Sequence, residues 1–172
     1  MNTKDIQWKY FPGYNKLIKC FLVELKKRPI LEYPDALKEA CYRLLSNEKL
    51  LNSFVLIVYG KADINRPLTV IKAIEFINEL FTELAVNRKK IPATFNYAIF
   101  LKGLKIILES DFSFAISKAM ILIYNHFNLF NLEFRKNISM YFLGKVFFSL
   151  FLHWSHNVRD TFFYFLIFRI YR

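Results

Sequence analysis

The sequence predicts an all-α protein of about eight helices stacked as helix pairs. Three observations carry that expectation. Apolar residues recur at spacings of three and four along most of the chain, the period of one helix face. Only 4 Gly and 5 Pro in 172 residues leave too few turns for a many-stranded sheet. Hydrophobic residues make up 55% of the chain, with 20 Phe and 10 Tyr, so it can bury a sizeable core and is not disordered.

The first helix follows Pro12-Gly13 and runs from about Tyr14 to Lys27, with Leu17, Ile18, Phe21, Leu22 and Leu25 on its apolar face; Pro29 ends it. The second opens at Pro34, with Asp35 and Glu39 near the positive end of the dipole and Leu37, Ala40, Cys41, Leu44 and Leu45 inward. Asn47 is expected to cap the third, which runs through Leu50, Phe54, Leu56, Ile57 and Val58 to a stop at Gly60; its Val/Ile run also suits a strand. Asn65 and Pro67 start the fourth, where Val70, Ile71, Ile74, Ile77, Leu80, Phe81 and Leu84 oppose Glu75, Glu79 and Glu83.

Asn87 to Ala93 is the linker candidate. It sets a sub-boundary at 87–93 inside a single domain, 1–172, between amphipathic helices in 1–86 and an aromatic-rich half in 94–172. The fifth helix is expected over Thr94 to Glu109, with Gly103 permitting a close helix–helix contact, since Gly otherwise costs about 1 kcal/mol there. Ser110-Asp111 should cap the sixth, through Ile116, Ala119, Met120, Ile123 and Tyr124. Asn131 with Glu133 should start the seventh, and Ser155 or Asn157 the eighth, Val158 to Tyr171. Short connections between so many helices are the pattern of armadillo- or HEAT-like arrays or of an irregular bundle. No internal sequence repeat accompanies it.

The densest apolar block is Gly144 to Arg159, GKVFFSLFLHWSHNVR. Taken as a continuous helix, it aligns Tyr141, Lys145, Ser149 and His153 in one stripe and Phe147, Leu150, Phe151 and Trp154 in another. A helix apolar nearly all round is buried in a larger assembly. The stretch is therefore expected to be the central helix, with Phe147, Leu150 and Phe151 nearly fully buried and Trp154 in the core. The next helix carries Phe162, Phe163, Phe165, Leu166, Ile167 and Phe168, which cannot all face one core. The chain is accordingly expected to be a fragment of a larger helical protein, whose remainder covers that helix.

The net charge is +11. Residues 1–86 hold 13 Lys/Arg against 10 Asp/Glu, and residues 87–172 hold 12 against 4, balances of +3 and +8. The plain reading is a solvated basic surface; the sharper ones are a nucleic acid, an anionic lipid surface or an acidic protein partner. The triplets Lys26-Lys27-Arg28 and Arg88-Lys89-Lys90 fall at expected helix ends, where cations favour the dipole. The stretch free of Asp, Glu, Lys and Arg from Ala119 to Leu132 is too short to span a bilayer, and Asn137 to Val158 is interrupted by Lys145, Ser149, His153 and His156. Cys20 and Cys41 fit neither a disulfide framework nor a metal set and are expected as small buried thiols. The N-terminus MNTKDIQWKYF lacks an apolar signal core, so the expected location is cytoplasmic, with membrane association as the alternative.

Chemistry-bearing residues are few. His153 and His156, three apart, and His156 and Asp160, four apart, have the spacing of paired metal ligands on a helix, but no third good ligand or activating base completes a zinc site, and a cap at Ser155 would part the histidines. Hydrogen-bonding or interhelix roles are expected for them instead. Arg159 should reach back to a neighbouring helix or carboxylate, and Lys145 sits beside an apolar face. Lys145, His153, Trp154, His156, Arg159 and Asp160 are thus structural or interface candidates. No nucleophile elbow, nucleotide fingerprint or RNP-like motif occurs. No catalytic, metal or cofactor site and no nucleic-acid partner is expected.

Two runs carry a resemblance: LKGLKIILESDFSFAISKAMILIYNHFNLF, Leu101 to Phe130, and FRKNISMYFLGKVFFSLFLHWSHNVRDTFFYFLIFRI, Phe134 to Ile170. Through them residues 95–172 resemble a fungal family described as domain of unknown function 1765. The resemblance implies a piece of a long, mostly helical intracellular protein. Some relatives carry a membrane-protein label, and one looks like a scaffold in an osmosensing kinase pathway. The family brings no catalytic residues to carry over. The expected function is a non-enzymatic helical scaffold segment that contacts other proteins or the remainder of a longer chain. The alternative is a peripheral membrane module using the basic, aromatic C-terminal half.

Overall fold

The computed structural model describes residues 10–171, which contain no strand. Nine helices follow in order: α1 Tyr14–Lys27, α2 Asp35–Leu44, α3 Leu50–Tyr59, α4 Pro67–Val86, α5 Tyr97–Leu108, α6 Ser113–His126, α7 Leu132–Leu143, α8 Phe147–Phe151 and α9 His156–Phe165. Single 3₁₀ turns sit at Ile30–Glu32 and Phe127–Leu129, and α9 runs on into a π-helical turn, Leu166–Ile170.

The helix boundaries have local causes. Pro67 opens α4 at a position whose N–H has no intrahelical acceptor anyway. The Asn96 side chain accepts from Ile99 N at 3.0 Å, and Asn131 from Phe134 N at 2.8 Å, capping α5 and α7. Asn47 does not cap α3; its amide donates to Tyr14 Oη at 2.9 Å and ties that turn to α1. Ser110-Asp111 does not cap α6 either, because the helix begins two residues later, behind Phe112. The Val/Ile run of α3 is helical.

The helices stack as pairs in two layers. Pairs α3–α4, α5–α6 and α8–α9 pack internally, and the second members stack in series, α2 on α4, α4 on α6, α6 on α9. In the other layer α1 packs on α3, Tyr59 of α3 stacks on Phe100 of α5, and Phe100 meets Phe134 of α7. One core cluster runs through all of these elements, and α4 and α6 join across the 87–93 connection. At its centre the Phe81 ring meets Phe95, Phe100 and Phe130 edge-on at 5.5–6.1 Å, a preferred geometry for aromatic pairs.

The central helix is α6, not Gly144–Arg159. Ala115, Ile116, Ser117, Ala119, Met120, Leu122, Ile123 and His126 are all buried against α4, α5 and α9, and only a narrow stripe through Phe114, Ile121 and Asn125 faces outward. Gly144 breaks the expected central stretch. Its backbone, at φ −104° and ψ −93°, leaves the helical region, and an added Cβ would crowd the Met140 carbonyl at 3.0 Å. After that break α8 lasts five residues and a turn over 152–155 resets the chain for α9. Of the three side chains expected nearly fully buried, Leu150 is, Phe147 is half-buried and Phe151 is 37% exposed. In the last helical segment Phe162, Phe165 and Leu166 are buried, whereas Ile167 and Phe168 face outward. Cys41 is buried, and burial pushes its thiol up to about 12. Cys20 instead lies exposed on α1.

Candidate functional site

The residues singled out by the sequence meet at a corner built by the end of α7, by α8 and by the first turn of α9, but they form three separate groups. The break at Gly144 dissolves the expected stripe of Tyr141, Lys145, Ser149 and His153. Tyr141 and Lys145 turn instead to α5: Lys145 Nζ donates to Glu109 Oε1 at 2.8 Å, and the Tyr141 hydroxyl donates to the same oxygen. Lys105 Nζ lies over the Tyr141 ring at 4.8 Å. Lys145, and then Tyr141, hold the Glu109 carboxyl below its ordinary range, while burial and Glu109 push the Tyr141 hydroxyl up. Ser149 donates to the Val146 carbonyl at 2.9 Å.

His153 and its neighbours form the second group. The Ser155 N–H donates to His153 Nδ1 at 3.0 Å, and the ring stacks beside Trp154. Arg159 Nη1 donates to the carbonyls of His153 and Trp154 at 2.6 and 3.1 Å. Its partner is therefore the preceding turn rather than a neighbouring helix or a carboxylate. In the third group, the side chains of His156 and Asp160 lie one helical turn apart in α9, Nδ1 to Oδ2 at 2.7 Å. The two histidines thus serve different partners. Among the described residues no cluster of three or more His, Cys, Asp or Glu could hold a metal ion.

Trp154 is not in the core. It is 75% exposed, Phe148 is 72% and Leu152 71%. Helical periodicity places Trp154 on a packed face, because it assumes a helix unbroken from Leu143 to Trp154. The signal that marks the break is Gly144, with the polar cluster Ser155-His156-Asn157 behind it. Arg159 fixes the turn, Leu150 and Val146 anchor α8 in the core, and Phe148, Leu152 and Trp154 stand outward.

A family model described as "Protein of unknown function (DUF1765)" matches residues 51–170. The chain belongs to this family. The match begins at the second residue of α3 and ends with the π-helical turn, so it covers every pair of the array from α3 onward. It reaches further toward the N-terminus than the resemblance over 95–172. No curated protein and no solved structure matches the chain. Among the described residues no helix is long and apolar enough to cross a membrane.

Proposed function

We propose that the chain is a non-enzymatic helical binding segment that works through contacts with other proteins, and that the α8 corner is its contact surface. The observation that carries this reading is the exposure of Phe148, Leu152 and Trp154 on one five-residue helix and the turn after it. Contiguous exposed apolar side chains of this size mark interaction surfaces, and buried aromatics dominate interface energies. Stacked helix pairs are rigid supports for such surfaces.

A second reading takes an anionic membrane as the surface that the corner meets. Its support is the same outward set with Lys145 beside it, in the half of the chain whose charge balance is +8. One experiment separates the two. A photo-crosslinking amino acid replaces Leu152 in the cell, with and without Phe148→Ser/Trp154→Ser, and the purified protein is floated on phosphatidylserine vesicles. Discrete protein adducts that vanish in the double variant support the protein-contact reading. Salt-sensitive flotation without protein adducts supports the membrane reading. Neither adducts nor flotation refutes both.

A further inference from the structure

We propose that the edge of the array where the α2–α3, α4–α5 and α6–α7 connections meet is a docking groove for a short acidic peptide segment that carries apolar side chains. The proposal rests on the binding-segment reading above but uses a different surface.

The groove is open and encloses about 500 Å³. Its wall is the basic triplet Arg88, Lys89 and Lys90, and its lining contains no carboxylate. The triplet stands at the end of α4, where helix-end chemistry would explain it, yet each member does something else. Lys89 Nζ donates to the Leu45 and Ser46 carbonyls at 3.0 and 2.9 Å, so it closes the end of α2 and fixes the wall to the first pair. Arg88 occupies the left-handed position of a Schellman turn, at φ 52°, with its N–H on the Ala85 carbonyl and the Lys89 N–H on that of Leu84. Glycine is the usual residue there, and a side chain costs roughly 1–2 kcal/mol. The side chains of Arg88 and Lys90 are exposed and make no hydrogen bond or ion pair among the described residues. Glu83, the nearest carboxylate along the chain, already accepts from the Asn87 amide at 2.5 Å. Two unpaired cations are thus held beside a site with no acid of its own.

The floor selects among anions. Ile91, Leu129 and Phe130 are apolar, and Phe130 is buried against Phe81, so the floor is rigid. A bare phosphate would leave this floor wet. A single-stranded nucleic acid would use bases stacked on a free aromatic ring, but the Tyr97 ring is packed against Phe95 at 5.0 Å and Phe134 at 5.3 Å, and a duplex, held by its phosphates, would leave the apolar floor wet. An acidic segment with apolar residues satisfies wall and floor together.

The test is fluorescence anisotropy of a short fluorescein-labelled peptide of alternating Glu and Leu on the full chain, at low salt. Wild type, Arg88→Gly, Lys90→Glu and Phe148→Ser/Trp154→Ser are compared, after melting curves establish that each is folded. Gly suits the Arg88 backbone and Lys90 is exposed, so both groove variants should fold. The expected result is affinity lower by about tenfold or more in each groove variant and for the Gln-for-Glu peptide, and unchanged in the corner variant. Equal binding by wild type and both groove variants overturns the proposal. So does displacement of the peptide by oligouridylate or inorganic phosphate at concentrations where unlabelled peptide does not compete. Absence of protein adducts at position 152 in the otherwise wild-type chain, with groove binding intact, sinks the corner's protein-contact reading alone; adducts there without groove binding sink only the groove.

Discussion

Replacing Gly103 by Ala should destabilise the protein, although Ala is the better helix former. The contact that decides the sign is between α5 and α3. A Cβ added at Gly103 would stand 2.8 Å from Tyr59 Cε2, 3.0 Å from Cζ and 3.2 Å from Cδ2. The ring cannot simply back away, because it stacks on buried Phe100 at 5.8 Å with planes 19° apart. Gly→Ala in a helix interior gains about 1 kcal/mol. Forcing a methyl into a packed contact costs about 1–3 kcal/mol. The net expectation is a loss of about 1 kcal/mol, which lowers Tm by about 2–4 °C for a chain of this size. With Tyr59→Leu removing the ring, the same substitution should become stabilising by up to about 1 kcal/mol. Urea unfolding followed by far-ultraviolet circular dichroism, on the four members of this double-mutant cycle, measures the difference. If Gly103→Ala stabilises both backgrounds equally, the steric account of this contact is wrong.

Arg88→Gly should raise stability by up to about 1 kcal/mol, since Gly relieves the left-handed backbone; a clear loss in the same urea assay would mean the arginine side chain supports the fold. His126 is buried with Nε2 3.1 Å from Asn78 Oδ1, and burial pushes its pKa from 6.5 to about 4. The unfolded chain therefore takes up this proton first as pH falls. Stability should drop by roughly 3 kcal/mol between neutral pH and about pH 4 relative to His126→Gln, and parallel profiles for the two proteins would refute this. Trp154→Ser should change stability by less than about 0.5 kcal/mol, whereas Phe142→Ala should cost about 3–5 kcal/mol, because Phe142 is fully buried between Phe162 and Phe165. Equal losses in thermal melts of these two variants would restore Trp154 to the core.

Much of the fold was legible because helix formation is written locally. Pro67 and the three-and-four spacing located α4, Asn131 located the start of α7, and Gly103 announced a close approach that Tyr59 supplies. The candidate site was less legible. Spacing along an assumed helix groups Tyr141, Lys145, Ser149 and His153 in one stripe and sets His156 one turn from Asp160, while Arg159 is expected to reach a neighbouring helix or carboxylate. The structure gives Lys145, His153, His156 and Arg159 the partners Glu109, the Ser155 N–H, Asp160 and two turn carbonyls. The true central helix leaves a trace in the sequence: Ala119–Leu132, without Asp, Glu, Lys or Arg, covers the second half of α6.

By itself, then, the sequence determined that the chain is helical, where most helices begin and end, and which residues carry an apolar face. These follow from propensity, caps and periodicity, all set within a few residues. Only the tertiary structure decided that α6 rather than Gly144–Arg159 lies at the centre, that Trp154 stands in solvent, and that Arg88 and Lys90 line a groove. An apolar face states that it must be covered but not by which element, and one backbone break at Gly144 redirects every side chain after it.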